Sequence, residues 1–293
     1  MFRGIAASVL ASSLFALMYY YTSLLKPLTG EEVFGWRMLL TLPCVTLFLL
    51  ITGDWRLAAG VLRRIAERPV RLLGSFATAA LMGVQLWLFL WAPLHGRSLE
   101  VSMGYFLLPL AMVLTGKLLW GESLSRPQKI AVALAALGVG HELARHGSFA
   151  WETLLVTLGY PAYFILRRRL RTDHLGGLWT DMLLMAPAAL YFVHTGPLSA
   201  ADLAAHPALW WLIPGLGVIS ALALVSYVLA SRQLPFSLFG LLSYVEPVLL
   251  VAVSLMLGET ITPEQWPTYA AIWAAVGVLV MAGLRHLLKR GMR

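Results

Sequence analysis

About ten stretches of roughly twenty mostly apolar residues follow one another along this chain: 4–25, 33–51, 72–93, 99–119, 128–144, 149–166, 175–195, 209–230, 236–257 and 265–284. In helical form, about twenty such residues span the hydrocarbon core of a bilayer. Inside that core the backbone must satisfy its own polar groups, which a helix does and an open, irregular segment does not. The pattern therefore predicts an all-α integral membrane protein with ten transmembrane helices. Of the 293 residues only 12% are charged and 59% are hydrophobic, against about 25% charged in a soluble domain. Met1, Phe2 and Arg3 open an apolar run that imitates a signal peptide. No small-x-small cleavage site ends it, so it reads as the first spanning helix.

The charges orient the spans. With the N-terminus in the cytoplasm, seventeen of the 22 Lys and Arg residues fall inside. They are Arg3; Arg56, Arg63, Arg64, Arg68 and Arg71; Arg126 and Lys129; Arg167, Arg168, Arg169 and Arg171; Arg232; and Arg285, Lys289, Arg290 and Arg293. Lys26, Arg97 and Arg145 fall outside, and Arg37 and Lys117 lie within spans. This is the positive-inside asymmetry. It predicts a multi-pass membrane protein with both termini cytoplasmic, and it accounts for the net charge of +8 without nucleic acid. Trp55, Trp120, Trp151, Trp210, Trp211 and Trp266 fall at span ends, where indole rings anchor at the headgroups. The inner loop from Trp55 to Arg68 mixes Arg with Leu, Val and Ile, which suits a short helix lying on the inner surface.

Two octapeptides repeat one pattern. Gly121-Glu122-Ser123-Leu124-Ser125-Arg126-Pro127-Gln128 and Gly258-Glu259-Thr260-Ile261-Thr262-Pro263-Glu264-Gln265 both read Gly-Glu-[Ser/Thr]-[Leu/Ile]-[Ser/Thr]-x-x-Gln, 137 residues apart. Each follows an apolar segment carrying a Tyr and then a Pro: Tyr105 and Pro109, then Tyr244 and Pro247. A duplicated unit of five helices, an odd number, must start its second copy on the opposite side. The expectation is two inverted five-helix repeats, 1–145 and 146–293, with a substrate site near the bilayer midplane between them. The octapeptides themselves read as helix-end turns and caps. Prolines inside spans, at 43, 109, 161, 187, 214 and 247, each remove a backbone hydrogen bond. Pro109 and Pro247, in matching places, mark either a cavity wall and gating break or a packing kink.

At these residues the chain resembles the EamA family of the drug/metabolite transporter superfamily, and within it the RarD branch. The similarity covers nearly the whole chain. It is most specific at Glu100 to Glu122, with Gly104-Tyr105-Phe106 and Pro109, and at Arg232-Gln233-Leu234-Pro235 through Gly240-Leu241-Leu242 and Tyr244 to Pro247-Val248. Arg37 matches the branch, Asp181 is the acid it keeps six residues before Pro187, and Tyr163 with Leu166-Arg167-Arg168 fits its sixth-helix pattern. Trp36, Gln85, Leu108 and Glu246 stand where the branch commonly has His, Asn, Asn and an apolar residue. The resemblance implies a ten-helix fold that moves small metabolites or drugs, usually outward.

Ionisable groups within spans are functional candidates by default. Arg37 is a planar, permanent cation suited to bidentate recognition of a carboxylate, or else it is neutralised by Asp181 or Glu246. Glu246, directly before Pro247, suits a proton-coupling acid, a contact for a substrate amine, or a structural role. Lys117, one turn from the inner end, suits snorkelling. Tyr105 and Tyr244 are repeat-related, and Tyr160 and Tyr163 share a helix face. With Gln85, Trp87, Trp91 and Tyr227 these suit an amphipathic pocket for an aromatic, zwitterionic or carboxylate-bearing solute. The set expected to bind substrate is Arg37, Gln85, Tyr105, Tyr163, Asp181, Tyr227, Tyr244 and Glu246.

Other chemistries find little support. The single Cys44 sits in an apolar run and reads as an inert thiol. The histidines lack metal-ligand spacing; His141, Glu142 and His146 suit a solvated helix cap better than a metal site. No nucleophile elbow or phosphate-binding loop is present, which disfavours enzymatic and ATP-driven readings. The expectation is a secondary transporter, an exporter working by alternating access with proton coupling or exchange. It needs no cofactor, has the lipid bilayer and a small molecule as partners, and is a monomer or homodimer. A membrane enzyme, a lipid-handling protein and an importer of the same fold are the alternatives.

Overall fold

The computed structural model describes residues 2–94, 98–146, 150–198, 200–256, 263–264 and 266–291, and every regular element among them is helical. In chain order these are α1 (Phe2–Thr22), α2 (Gly30–Ile51), α3 (Trp55–Glu67), α4 (Val70–Leu94), α5 (Ser98–Trp120), α6 (Arg126–His146) and α7 (Trp151–Leu170). There follow α8 (Leu175–Thr195), α9 (Ala200–Ala205), α10 (Leu209–Gln233), α11 (Phe236–Leu242), α12 (Val245–Met256) and α13 (Trp266–Gly291). Among the described residues six segments are long and apolar enough to cross a membrane: Phe2–Leu25, Gly30–Ile51, Val70–Phe89, Leu175–Thr195, Leu209–Gln233 and Phe236–Val253. Gly104–Trp120 and Trp266–Ala282 are shorter apolar helices. The ninth apolar stretch of the sequence is broken into α11 and α12 at Ser243 and Tyr244, just before Pro247.

Local chemistry sets several boundaries. The Thr29 side chain accepts from the Glu32 N–H, and Glu32 accepts from the Thr29 N–H at 2.8 Å, a capping box that starts α2. Arg171, in the left-handed region at φ 54°, ends α7. The basic stretch after Trp55 forms α3, which buries Ala58 and Val61 and leaves Arg56 and Arg63 exposed. Trp55 meets Trp179 of α8 edge to face at 5.1 Å.

The helix ends gather in two groups. Gly4 of α1 lies against Gln233 at the end of α10 and Leu234 just after it, and Gly74 of α4 lies against Leu170 of α7. Arg168 stacks over Trp120 at 4.5 Å and over Phe236 at 5.2 Å. These contacts collect the starts of α1, α4, α8 and α11 with the ends of α5, α7 and α10 at one end of the molecule, the basic end. At the opposite end Tyr21 donates to the Leu212 carbonyl at 3.0 Å, and the Leu198 N–H donates to Glu32 at 2.7 Å.

The largest buried cluster runs between α2, α4, α5, α7, α8, α10 and α11. A second, with Phe106, Leu241 and Tyr244 at its centre, fastens the α6–α13 pair to α5 and α11. Small residues permit the closest approaches, as in lipid-embedded helices generally. At Gly104 a side chain would collide with Val156, and at Gly159 with the Gln85 amide.

Candidate functional site

A cavity of about 50 Å³ lies between α1, α2, α4, α5, α7, α10 and α12. Its lining includes Phe15, Met82, Leu86, Phe89, Leu108, Leu224 and Ser243, with Arg37, Tyr105, Tyr160, Tyr227, Glu246 and Pro247 as its polar or helix-breaking members. The break between α11 and α12 puts Ser243, Glu246 and Pro247 on this wall together. The space suits a few waters, far less than the roughly 300–1,000 Å³ of a pocket that holds a drug-sized ligand.

Arg37 is 3% exposed. Its Nε donates to Ser220 of α10 at 3.0 Å, and its guanidinium lies 6.0 Å from the Phe15 ring centre. Among the described residues no carboxylate stands within ion-pair distance of it. The Tyr105 ring lies 6.3 Å from that of Tyr160 and 6.1 Å from that of Phe89. Tyr227 packs against Phe15, Phe164 and Phe239. Phe164 also meets Phe236 and Phe239, so a layer of rings separates the cavity from the basic end.

Other residues of the expected set lie elsewhere. The Gln85 amide donates to the Leu155 carbonyl of α7 at 2.7 Å, over Gly159; its Oε1 is buried and has no hydrogen-bond partner among the described residues. Tyr244 donates to the Phe106 carbonyl at 2.9 Å inside the second cluster, away from its sequence counterpart Tyr105. Pro109 sits where α11 packs on α5, with its carbonyl facing Gly240.

Asp181 and Tyr163 form a separate buried network. Asp181 accepts from Thr78 of α4 at 2.6 Å and from Tyr163 at 3.0 Å, and pairs with Arg167 at 3.5 Å. Arg167 also donates to Tyr163 and to the carbonyls of Thr172 and His174. Arg167, and not Arg37, is thus the cation that Asp181 neutralises. Arg167 reads in the sequence as a loop cation, yet it is only 2% exposed because this network and the α7–α8 turn enclose it.

Lys117 is exposed at the basic end of α5, a place that suits snorkelling. Other expectations change in detail. Glu142 is buried rather than solvated, because Thr268 of α13 donates to it at 2.7 Å. Thr268 also lies 3.1 Å from His141 Nδ1. The His146 side chain lies outside the described residues. No group of three or more His, Cys, Asp and Glu side chains suited to a metal occurs among those described. The first octapeptide caps two helices: Gln128 Oε1 accepts the Ser125 N–H at 2.8 Å at the start of α6, and the Glu122 carboxylate accepts the N–H groups of Phe236 and Ser237 at the start of the distant α11. The second, Gly258 to Gln265, lies outside the described residues except for Pro263 and Glu264.

The placement of Arg37 and Asp181 exposes a second repeat in the sequence. Arg37-Met38-Leu39-Leu40-Thr41-Leu42-Pro43 and Asp181-Met182-Leu183-Leu184-Met185-Ala186-Pro187 share [Arg/Asp]-Met-Leu-Leu-x-x-Pro at a separation of 144 residues. Arg37 and Asp181 open the two heptapeptides, and each bonds a hydroxyl on another helix.

No protein-family model matches the chain. It is 45% identical over 295 residues to the chloramphenicol-sensitive protein RarD of Pseudomonas aeruginosa, covering 99% of this chain and 98% of that protein. An uncharacterized transporter of Haemophilus influenzae is 40% identical over 284 residues, covering 97% of this chain and 95% of the relative. A solved crystal structure is 17% identical with a TM-score of 0.64, covering 96% of this chain and 98% of the other. At that identity the likeness concerns the fold alone.

Proposed function

The chain belongs to the RarD branch of the EamA-type drug/metabolite transporters, and from that premise we propose that it is a secondary exporter working by alternating access. Its cargo is a small amphipathic metabolite or drug bearing a carboxylate or a zwitterion. The observation that carries this reading is Arg37, a buried cation facing a cavity, with a hydroxyl partner but no carboxylate within ion-pair distance among the described residues. A desolvated guanidinium favours an anionic partner, and the aromatic lining suits the apolar part of a solute. Glu246, on the same cavity, serves a substrate ammonium or a coupled proton.

In this reading ten helices span the inner membrane: α1, α2, α4, α5, α6, α7, α8, α10, the broken pair α11–α12, and α13. The basic end is cytoplasmic, with both termini there. Residues 1–145 and 146–293 are inverted repeats. The packing supports this. Exchanging α1 with α7, α2 with α8, α4 with α10, α5 with α11–α12 and α6 with α13 turns α1–α10 into α7–α4, α2–α10 into α8–α4, and α5–α7 into α12–α1. Every one of these pairs is in contact. The pairs α2–α8, α5–α11 and α6–α13, also in contact, map onto themselves.

The test is uptake into proteoliposomes across a panel of amino acids, aromatic carboxylates and neutral amphiphiles, with chloramphenicol among the last. Arg37→Ala and Glu246→Gln are assayed beside wild type. A transported carboxylate that neither change slows would sink the site assignment. Transport confined to neutral amphiphiles would sink the substrate class.

A further inference from the structure

Arg37 and Asp181 hold one place in the repeated heptapeptide, yet they approach from opposite ends. Arg37 is seven residues past the start of α2 at the opposite end, and Asp181 is six residues past the start of α8 at the basic end. At 1.5 Å per residue each lies about 10 Å deep along its helix. Their exposures are 3% and 2%.

Each makes the same kind of contact. Arg37 donates to Ser220 on α10 at 3.0 Å, and Asp181 accepts from Thr78 on α4 at 2.6 Å. Under the exchange of halves, α2 with α10 becomes α8 with α4, so these are one contact made twice. Both cross between the halves. Arg167 joins Asp181 from within its own half, held by the carbonyls of Thr172 and His174, and serves as a positioning residue. Both contacts are made in this structure, and the cavity between them is too small for a solute.

We propose that Thr78–Asp181 and Arg37–Ser220 are paired latches, closing the basic end and the opposite end respectively, and that transport opens them alternately. A charge bonded to a hydroxyl suits this role. The bond is strong enough to hold when water is excluded, yet its loss leaves no second charge buried unpaired on the far side. Opening at the basic end separates α4 from α8 while Arg167 stays with Asp181 and keeps it neutralised. Opening at the other end separates α2 from α10 and frees Arg37 for an incoming anion. This inference rests on the transporter reading.

The experiment needs no known substrate. Cys44, the only cysteine, is replaced by Ser, and Leu86→Cys puts a thiol on the cavity wall. A membrane-impermeant maleimide then probes access from each side, in right-side-out and inside-out vesicles. Thr78→Val should raise labelling from the basic end by between about tenfold and a hundredfold, the population shift that loss of one hydrogen bond to a charged group permits. Ser220→Ala should raise labelling from the opposite end. Thr78→Ser keeps the hydroxyl and should return the wild-type pattern, which separates latching from mere misfolding. Equal changes from both sides, or none, would overturn the latches. Failure to find any cargo in the proteoliposome panel, with the sided shifts intact, would instead count against the transport reading alone.

Discussion

The carboxylate of Glu122 accepts the backbone N–H groups of Phe236 and Ser237, each at 2.7 Å, and so ties the end of α5 to the start of α11 more than a hundred residues away. Gly121, at φ 64°, makes the turn that aims it there. A positive φ costs glycine little and most other residues more. The Gly-Glu pair is therefore a unit: the glycine bends the chain and the acid seats the start of α11.

Glu122→Ala should destabilise the folded protein by about 2 kcal/mol, since two charge-assisted hydrogen bonds are lost and two N–H groups are orphaned. The check is the thermal unfolding midpoint of the purified protein in detergent. An unchanged midpoint would mean that water replaces the carboxylate without cost.

Arg37→Lys should impair transport nearly as much as Arg37→Ala, by about tenfold or more in rate, because an ammonium cannot reproduce a planar bidentate donor. Initial rates in proteoliposomes decide this. A lysine variant at wild-type rate would show that charge alone suffices.

Gly159→Ala should cost about 1–3 kcal/mol by forcing the Gln85 amide off its seat. Combining it with Gln85→Ala should recover much of that loss, because the second change removes the colliding group. A double-mutant cycle of unfolding midpoints measures the coupling. Strictly additive effects would rule out the proposed contact.

His174, in the turn before α8, is held at a pKa of about 4 by burial first, and then by Arg167, Arg232 and Arg64. In the unfolded chain it would titrate near 6.5. Between those values the unfolded state binds the extra proton, so stability should fall as pH drops from about 6.5 toward about 4 and should be fully present above that window. His174→Asn, which removes the titration and supplies a favourable N-cap, should flatten this part of the stability profile. An equal slope in the variant would assign it to other groups.

The gathering of Arg37, Tyr105, Tyr227, Glu246 and Pro247 around one cavity involves residues that stand out in the sequence, because charges and prolines are conspicuous in apolar helices. Their partners do not stand out. Ser220 and Thr78 are ordinary hydroxyl residues, and nothing near Asp181 in the sequence announces Arg167, which sits in a run of arginines that reads as loop. Tyr160 and Tyr163 share a helix face, yet only Tyr160 reaches the cavity while Tyr163 turns to Asp181. Tyr105 and Tyr244 match in the repeat and still serve different clusters, because α5 runs unbroken past Tyr105 whereas the chain breaks between α11 and α12 at Tyr244.

The apolar segments of the sequence were enough to set a helical membrane protein, since in a bilayer such segments satisfy their backbone hydrogen bonds as helices, and they showed which rare charges those helices must carry. The RarD branch was legible in specific motifs such as Gly104-Tyr105-Phe106 and Arg232-Gln233-Leu234-Pro235. Only the tertiary structure decided which charge is neutralised and which faces open space. That depends on helix rotation and on contacts between residues more than a hundred positions apart for Thr78 with Asp181 and for Arg37 with Ser220, where a shift of one residue about a helix, some 100°, changes every partner.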